Sequence, residues 1–284
     1  MKSLIPQFVT DDIIKRALFE DINYIDVATD FLIPEDSFST AKFVSKDDGI
    51  ICGIDIALRV FEILDNSVTS QIFINDGEPC KKGDIIAEVS GLTRTLLKGE
   101  RTSLNLLQHM SGIASAVQEY QDICDKTGKN CVVAETRKTL PGLRAIEKYA
   151  VLAGGGRNHR FNLSDAAMIK DNHIDAYGSI TGAVNALREK IGHMTKIEVE
   201  VRDIKELKEA LSLNVDVIML DNMTTAQMKE CVEITAGNAI LEASGNITAE
   251  RVKEIAETGV NIISVGAITH SVKAFDISLK IQKS

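Results

Sequence analysis

The chain reads as an α/β protein in two parts: an α+β domain of roughly 100 residues, then an open α/β barrel of about six strands. Three observations predict this. Before Gly128, strand-like alternation and helical periodicity occur in no regular order. After Gly128, short continuous apolar runs alternate with amphipathic helical ones, the mark of parallel strands covered by helices. About six such runs are present, and a closed eight-stranded barrel would need more chain.

Composition sets the bounds. With 284 residues, 44% of them hydrophobic, the chain can bury one large core or two ordinary ones. Four prolines and 26% charged residues argue against long disordered linkers. The five cysteines are scattered, with no CxxC, so reduced thiols in a cytoplasmic protein are expected rather than a zinc site or disulfides. The start, MKSLIPQFVTDDIIKRALFED, lacks an export-signal pattern, and no apolar run is long enough to cross a membrane.

In order, Ile13, Ile14, Ala17, Leu18 and Ile22 recur at helical spacing behind Asp11 and Asp12, predicting a helix over Thr10–Ile22. Ala41–Ser45 alternates like a strand and breaks at Asp47-Asp48-Gly49. Ile50–Leu64 reads as a short buried strand followed by a helix, Ser70–Asp76 as a strand, and EPCKKGDIIAEVSG as a turn and another strand. A long helix is predicted from about Leu96 to Lys126, with Leu104, Leu107, Met110, Ile113 and Val117 along one side and Gly128 as its stop. His109 within it reads as a packing histidine. The barrel strands are marked by CVVAE, AAMIK, KIEVEV, VDVIML, AILEA and NIISV, with helical patterns such as DIKELKEALSL, TTAQMKECVEI and TAERVKEIAETG between them.

Chemistry concentrates between Glu135 and Ile174. Seven cations (Arg137, Lys138, Arg144, Lys148, Arg157, Arg160, Lys170) face four acids, a local charge of 7 − 4 = +3 in a chain of net charge −9. Such an island points to an anionic ligand rather than to general attraction for nucleic acid. The cations sit in short clusters at turns and strand ends. The strands run into Thr136-Arg137-Lys138, Lys170-Asp171-Asn172, Glu198 with Glu200, Asp221-Asn222, Ser244-Gly245-Asn246 and Gly266-Ala267. In a βα barrel, those C-terminal strand ends share one face, which is the active face.

That face divides by chemistry. Arg137, Lys138, Arg160 and Lys170, helped by His159, suit carboxylates or phosphates. Two like charges about 6 Å apart cost ~3 kcal/mol at an effective dielectric near 20, tolerable when a polyanion fills the pocket. Glu200 and Asp221, on adjacent strand ends, suit Mg²⁺ or sugar hydroxyls, and Glu198 shares the parity of Glu200. The turns ASGNIT and SVGAITHS each pair small residues with a helix start, as in phosphate cradles. No strand-linked GxGxxG, Walker loop or serine elbow is present, which argues against dinucleotide, kinase and acyl-transfer chemistry.

The segments ERTSLNLLQHMSGIAS, ETRKTLPGLRAIEKYAVLAGGGRNHRFNLSDAAMIKDNHI, IEVEV, IMLDN, LEASGNI and ISVGAITHS, in that order, closely resemble the quinolinate phosphoribosyltransferase family over essentially the whole chain. The resemblance implies an N-terminal α/β sandwich domain (residues 1–110) and an open barrel (111–284), the last helix or strand being a candidate to return to the first domain. It implies transfer of phosphoribosyl from phosphoribosyl pyrophosphate to quinolinate, with loss of CO₂ and with Mg²⁺, in NAD biosynthesis. Arg101, Thr136, Arg137, Lys138, His159, Arg160 and Lys170 are then expected around quinolinate. Glu200 and Asp221 are expected at the ribose or metal, and Ser244, Gly245, Asn246, Val265, Gly266 and Ala267 at the 5′-phosphate. Lys138, Lys170, Glu200 and Asp221 are the catalytic candidates, and which lysine governs decarboxylation stays open. Asn246 stands where many members have glycine, and Arg157 where the family varies. The resemblance further implies homodimers, or multiples of them, with Arg101 supplied across the interface, and no nucleic-acid or membrane partner. Rival readings are a related pyrophosphorylase-like protein with another acceptor and a non-catalytic sensor of phosphoribosyl compounds.

Overall fold

The structure, a computed structural model, describes residues 4–283; Met1 to Ser3, which head the segment read for an export signal, and Ser284 lie outside the described residues. The chain runs α1 (Gln7–Asp21), α2 (Val27–Leu32), β1 (Phe38–Ser45), β2 (Gly49–Ile50), α3 (Ile54–Leu64), β3 (Thr69–Ile72), β4 (Pro79–Cys80), β5 (Ile85–Leu92) and α4 (Thr93–Lys126). It continues through β6 (Val132–Ala134), α5 (Arg144–Ala153), β7 (Ala167–Ile169), α6 (Asp171–Tyr177), α7 (Ile180–Arg188), β8 (Ile197–Val201), α8 (Ile204–Ser212), β9 (Val217–Asp221) and α9 (Thr225–Thr235). Last come β10 (Ile240–Ser244), α10 (Ala249–Glu257), β11 (Ile262–Ser264), α11 (Ala267–His270) and β12 (Ile277–Lys283). Two compact units result. The first gathers residues up to 118, 139–155 and those from 268 onward; the second gathers 119–138 and 156–267.

The first unit is built on an antiparallel sheet in the order β12-β1-β5-β3. Alternation in β1 turns Ala41 and Phe43 inward, while Lys42 faces its register partner Glu88 and pairs with it at 2.9 Å. Ile54, Ala57, Leu58 and Phe61 of α3 and Leu96, Leu104 and Leu107 of α4 close the core over that sheet. Phe43 and Phe61 meet edge to face at 6.2 Å, and burying each ring contributes roughly 2–3 kcal/mol. A Cβ on Gly99 of α4 would lie 2.6 Å from the Phe61 ring, so the helix passes this close only as glycine.

The strand expected over Ser70–Asp76 stops at Ile72. Phe73 and Ile74 both donate to the Ile86 carbonyl, and the chain then turns to bury Asp76. Asp76 Oδ1 accepts from the backbone N–H groups of Gly53 and Ile54 at 2.8 and 3.0 Å, and Oδ2 from the Tyr149 hydroxyl at 2.8 Å. Capping the start of α3 thus outweighs continuing the strand. The first unit's outermost strand, β12, comes from the chain's end and lies antiparallel to β1 from Ser39↔Lys283 to Ser45↔Ile277.

The second unit is an open α/β barrel. Its six parallel strands run β6-β11-β10-β9-β8-β7, so the first strand lies beside the last and the seam between β6 and β7 stays open. Two of the covering helices, α8 and α9, start at side-chain caps. Asp203 accepts from the Glu206 N–H at 2.8 Å before α8, and Thr224 and Gln227 form a reciprocal box before α9. Each of them, like α10, buries one face: Leu207 and Ala210 in α8, Met228 and Cys231 in α9, Val252, Ile255 and Ala256 in α10. No helix among the described residues is long and apolar enough to cross a membrane.

Candidate functional site

Strand register brings the polar strand ends of the second unit to one level. Glu200 of β8 lies opposite Met219 of β9, and Asp221, at the end of β9, lies opposite Ser244 of β10. Lys170 directly follows β7, which pairs Ile169 with Val199. These ends enclose a cavity of about 530 Å³ lined by Thr136, Arg137, Lys138, His159, Arg160, Lys170, Glu200, Asp221, Ser244, Gly245 and Asn246, together with Met168, Met219 and Asn222. Its size and convergent polar groups suit a small anionic ligand.

On the cationic side, Arg160 donates to the Ala166 carbonyl at 3.0 Å and rests one nitrogen 3.7 Å from the Met168 sulfur. Burial, and then the charge of Arg137, lower its pKa, so the two guanidiniums oppose each other across this side of the cavity. The Thr136 hydroxyl accepts the Lys138 N–H at 3.0 Å, which tightens the loop carrying both cations. His159 closes this side and is half-buried, its Nε2 3.1 Å from Glu198 Oε2.

Opposite stand the carboxylates. Burial, and then the charge of Asp221, raise the pKa of Glu200, with Lys170 opposing. Asn222 donates to Asp221 at 2.8 Å and accepts from the Asn246 side chain at 3.1 Å, linking the ends of β9 and β10. The turn after β10 has φ of +90° at Gly245 and +48° at Asn246. A Cβ on Gly245 would lie 2.3 Å from the Asn222 side-chain oxygen, so this position requires glycine. At Asn246 the left-handed backbone suits asparagine, which tolerates this region better than other residues with a Cβ.

Val265, Gly266 and Ala267 follow β11 and are not among the lining residues; Val265 donates to the Ala134 carbonyl at 2.9 Å. Arg101 is exposed on α4 in the first unit and is likewise not a lining residue. Met168 and Met219 carry no overt sign of a site in the sequence, whereas Asn222 stands at one of the predicted strand ends without an assigned role. The methionines lie in apolar strands, where period-2 placement relative to Lys170 and Asp221 was the available signal. Glu242, in the middle of AILEA, was missed as well; it is buried with its Oε1 3.5 Å from His159 Nε2.

Comparison with known proteins gives one answer. The family described as quinolinate phosphoribosyl transferase, C-terminal domain, matches residues 113–280, and the corresponding N-terminal domain matches 26–111. A probable nicotinate-nucleotide pyrophosphorylase [carboxylating] of Bacillus subtilis is 43% identical over 96% of this chain and 93% of its own. A decarboxylating quinolinate phosphoribosyltransferase of Nicotiana tabacum is 42% identical over 97% of this chain and 83% of its own. Among solved structures, NadC from Streptococcus pyogenes superposes with a TM-score of 0.95 at 38% identity, covering 100% of both chains.

Proposed function

The chain belongs to the quinolinate phosphoribosyltransferase family, and we propose from that premise how its residues work. It transfers phosphoribosyl from phosphoribosyl pyrophosphate to quinolinate and releases CO₂, yielding nicotinate mononucleotide for NAD biosynthesis. The observation that carries the site assignment is the single cavity in which a cation cluster faces a carboxylate pair.

Arg137, Lys138, Arg160 and Lys170, with the His159 ring lining the pocket beside them, take the two quinolinate carboxylates, relieving the repulsion between Arg137 and Arg160. The clamped ring keeps its nitrogen in line with the ribose C1. The bond from C1 to pyrophosphate breaks as the bond from C1 to the ring nitrogen forms. The ring, now cationic, accepts the electron pair left when the adjacent carboxylate departs as CO₂, and that carbon takes up a proton. The turn Ser244–Asn246 offers backbone N–H groups to the 5′-phosphate, with Val265–Ala267 as a second turn for the same group. Glu200 and Asp221 would hold the ribose hydroxyls and Mg²⁺, a role that fits the like-charge repulsion between them that helps to raise the Glu200 pKa. When bound, Mg²⁺ offsets charge building on the departing pyrophosphate.

We further assign the working form as a homodimer in which Arg101 serves the partner's cavity. The exposed apolar side chains of α1 and its neighbourhood (Phe8, Phe19, Tyr24, Val27, Phe31 and Leu32) support a protein surface there. The five buried free cysteines support a reducing, cytoplasmic setting. The test is turnover of the purified chain with phosphoribosyl pyrophosphate, Mg²⁺ and either quinolinate or nicotinate. Release of CO₂ and pyrophosphate with quinolinate, and little reaction with nicotinate, is expected. Equal turnover of both acceptors would sink the acceptor assignment.

A further inference from the structure

Behind the cationic side of the cavity, His159 meets two buried carboxylates that the mechanism above does not use. Facing atoms of His159, Glu198 and Glu242 all lie within 4.8 Å of one another. Nε2 of His159 is 3.1 Å from Glu198 Oε2 and 3.5 Å from Glu242 Oε1, and the carboxylates are only 5% and 2% exposed. The other ring nitrogen, Nδ1, accepts the Arg160 backbone N–H at 2.8 Å. An accepting ring nitrogen carries no proton, so the proton sits on Nε2 and points at the carboxylates. This argues against a metal ion among the three groups, which would need the Nε2 lone pair. It also argues against an imidazolium, both of whose nitrogens donate.

A neutral ring leaves two buried carboxylates side by side, and like charges so placed do not both ionise at little cost. Glu242 is the more buried, and its Oε1 makes no hydrogen bond among the described residues. The groups facing it are Glu198 from β8, His159 from the loop before β7 and Ser264 from β11, while β9 sets Met219 opposite. Burial, and then the Glu198 charge, raise the pKa of the Glu242 carboxyl above the usual carboxylate range, with the Ser264 hydroxyl pulling the other way.

Resting on the quinolinate reading, we propose that Glu242 is a positioning residue for the acceptor side of the cavity. As the neutral acid it leaves Glu198 alone to hold His159 in its Nε2–H form, and it keeps a second negative charge away from the incoming dianion. When Glu242 ionises, that charge arises behind the quinolinate subsite and the acceptor binds less well.

Glutamine mimics the neutral acid, since it too offers one donor side and one acceptor side, but it cannot ionise. For the wild type, KM for quinolinate is expected to rise about tenfold from pH 6 to pH 8.5. For Glu242→Gln the rise is expected to stay under about twofold, while KM for phosphoribosyl pyrophosphate follows one curve in both proteins. An unchanged tenfold rise in Glu242→Gln overturns the proposal. Nitrogen-15 NMR of histidine-labelled wild-type protein, with His159 assigned by His159→Asn, supplies a readout that needs no turnover. An unprotonated Nδ1 at pH 6–7 supports the proposal, and protonation of both ring nitrogens overturns it. That second readout holds whether or not quinolinate is the acceptor, so failure of the acceptor assignment and failure of the Glu242 role are told apart.

Discussion

The two units bury carboxylates in opposite ways. Asp76 in the first unit is 3% exposed, and burial raises its pKa, but the backbone of Ile54 and Gly53 and the Tyr149 hydroxyl all donate to it and pull the other way. In the second unit, Glu200 and Glu242 are raised by burial and then by a neighbouring carboxylate, Asp221 and Glu198 respectively. The first arrangement satisfies a charge with fixed donors and so holds a loop against a helix. The second sets one carboxyl against another, which favours the protonated form of one of them and stabilises nothing by itself. What separates a structural acid from a working one here is therefore the company it keeps rather than its depth.

That contrast can be broken most forcefully at Arg101. If the first unit were purely structural, Arg101→Ala would leave turnover intact; the proposed dimer instead expects Arg101→Ala and Lys170→Ala each to lose ~100-fold or more. Co-expressed, the two variants should regain roughly a quarter of wild-type activity, because about half the dimers are mixed and each mixed dimer has one intact site. Mixed dimers that recover nothing would show that Arg101 does not act across the interface.

A smaller effect sharpens the division inside the cavity. Arg160→Ala should weaken quinolinate binding by ~2–4 kcal/mol and phosphoribosyl pyrophosphate binding by less, and Asp221→Asn should reverse that order. Calorimetry showing both ligands weakened equally by Arg160→Ala would erase the cationic and carboxylate sides as separate subsites. Smallest is the expected cost at Asp76. Asp76→Ala should lower stability by about 2–3 kcal/mol, since two buried N–H groups and the Tyr149 hydroxyl lose their acceptor, with KM for quinolinate unmoved. A stable Asp76→Ala protein with a raised KM would place Asp76 with the working acids.

Much of this molecule is set locally and can be read along the chain. The barrel strands around Val133 and Leu220 are continuous apolar runs, because strands covered on both faces need no alternation. Lys170, Glu200, Asp221 and Ser244 stand at strand ends, and a parallel sheet necessarily delivers those ends to one level. Other features depend on partners far away in sequence. The short stop of β3 at Ile72 depends on Gly53, Ile54 and Tyr149 competing for Asp76. The place of β12 beside β1 rests on backbone pairing, which carries no side-chain signature of its partner. The same reason hid Glu242, an acid in an otherwise apolar strand. Its meaning comes from His159 and Glu198, and only the folded sheet brings those three side chains within reach of one another.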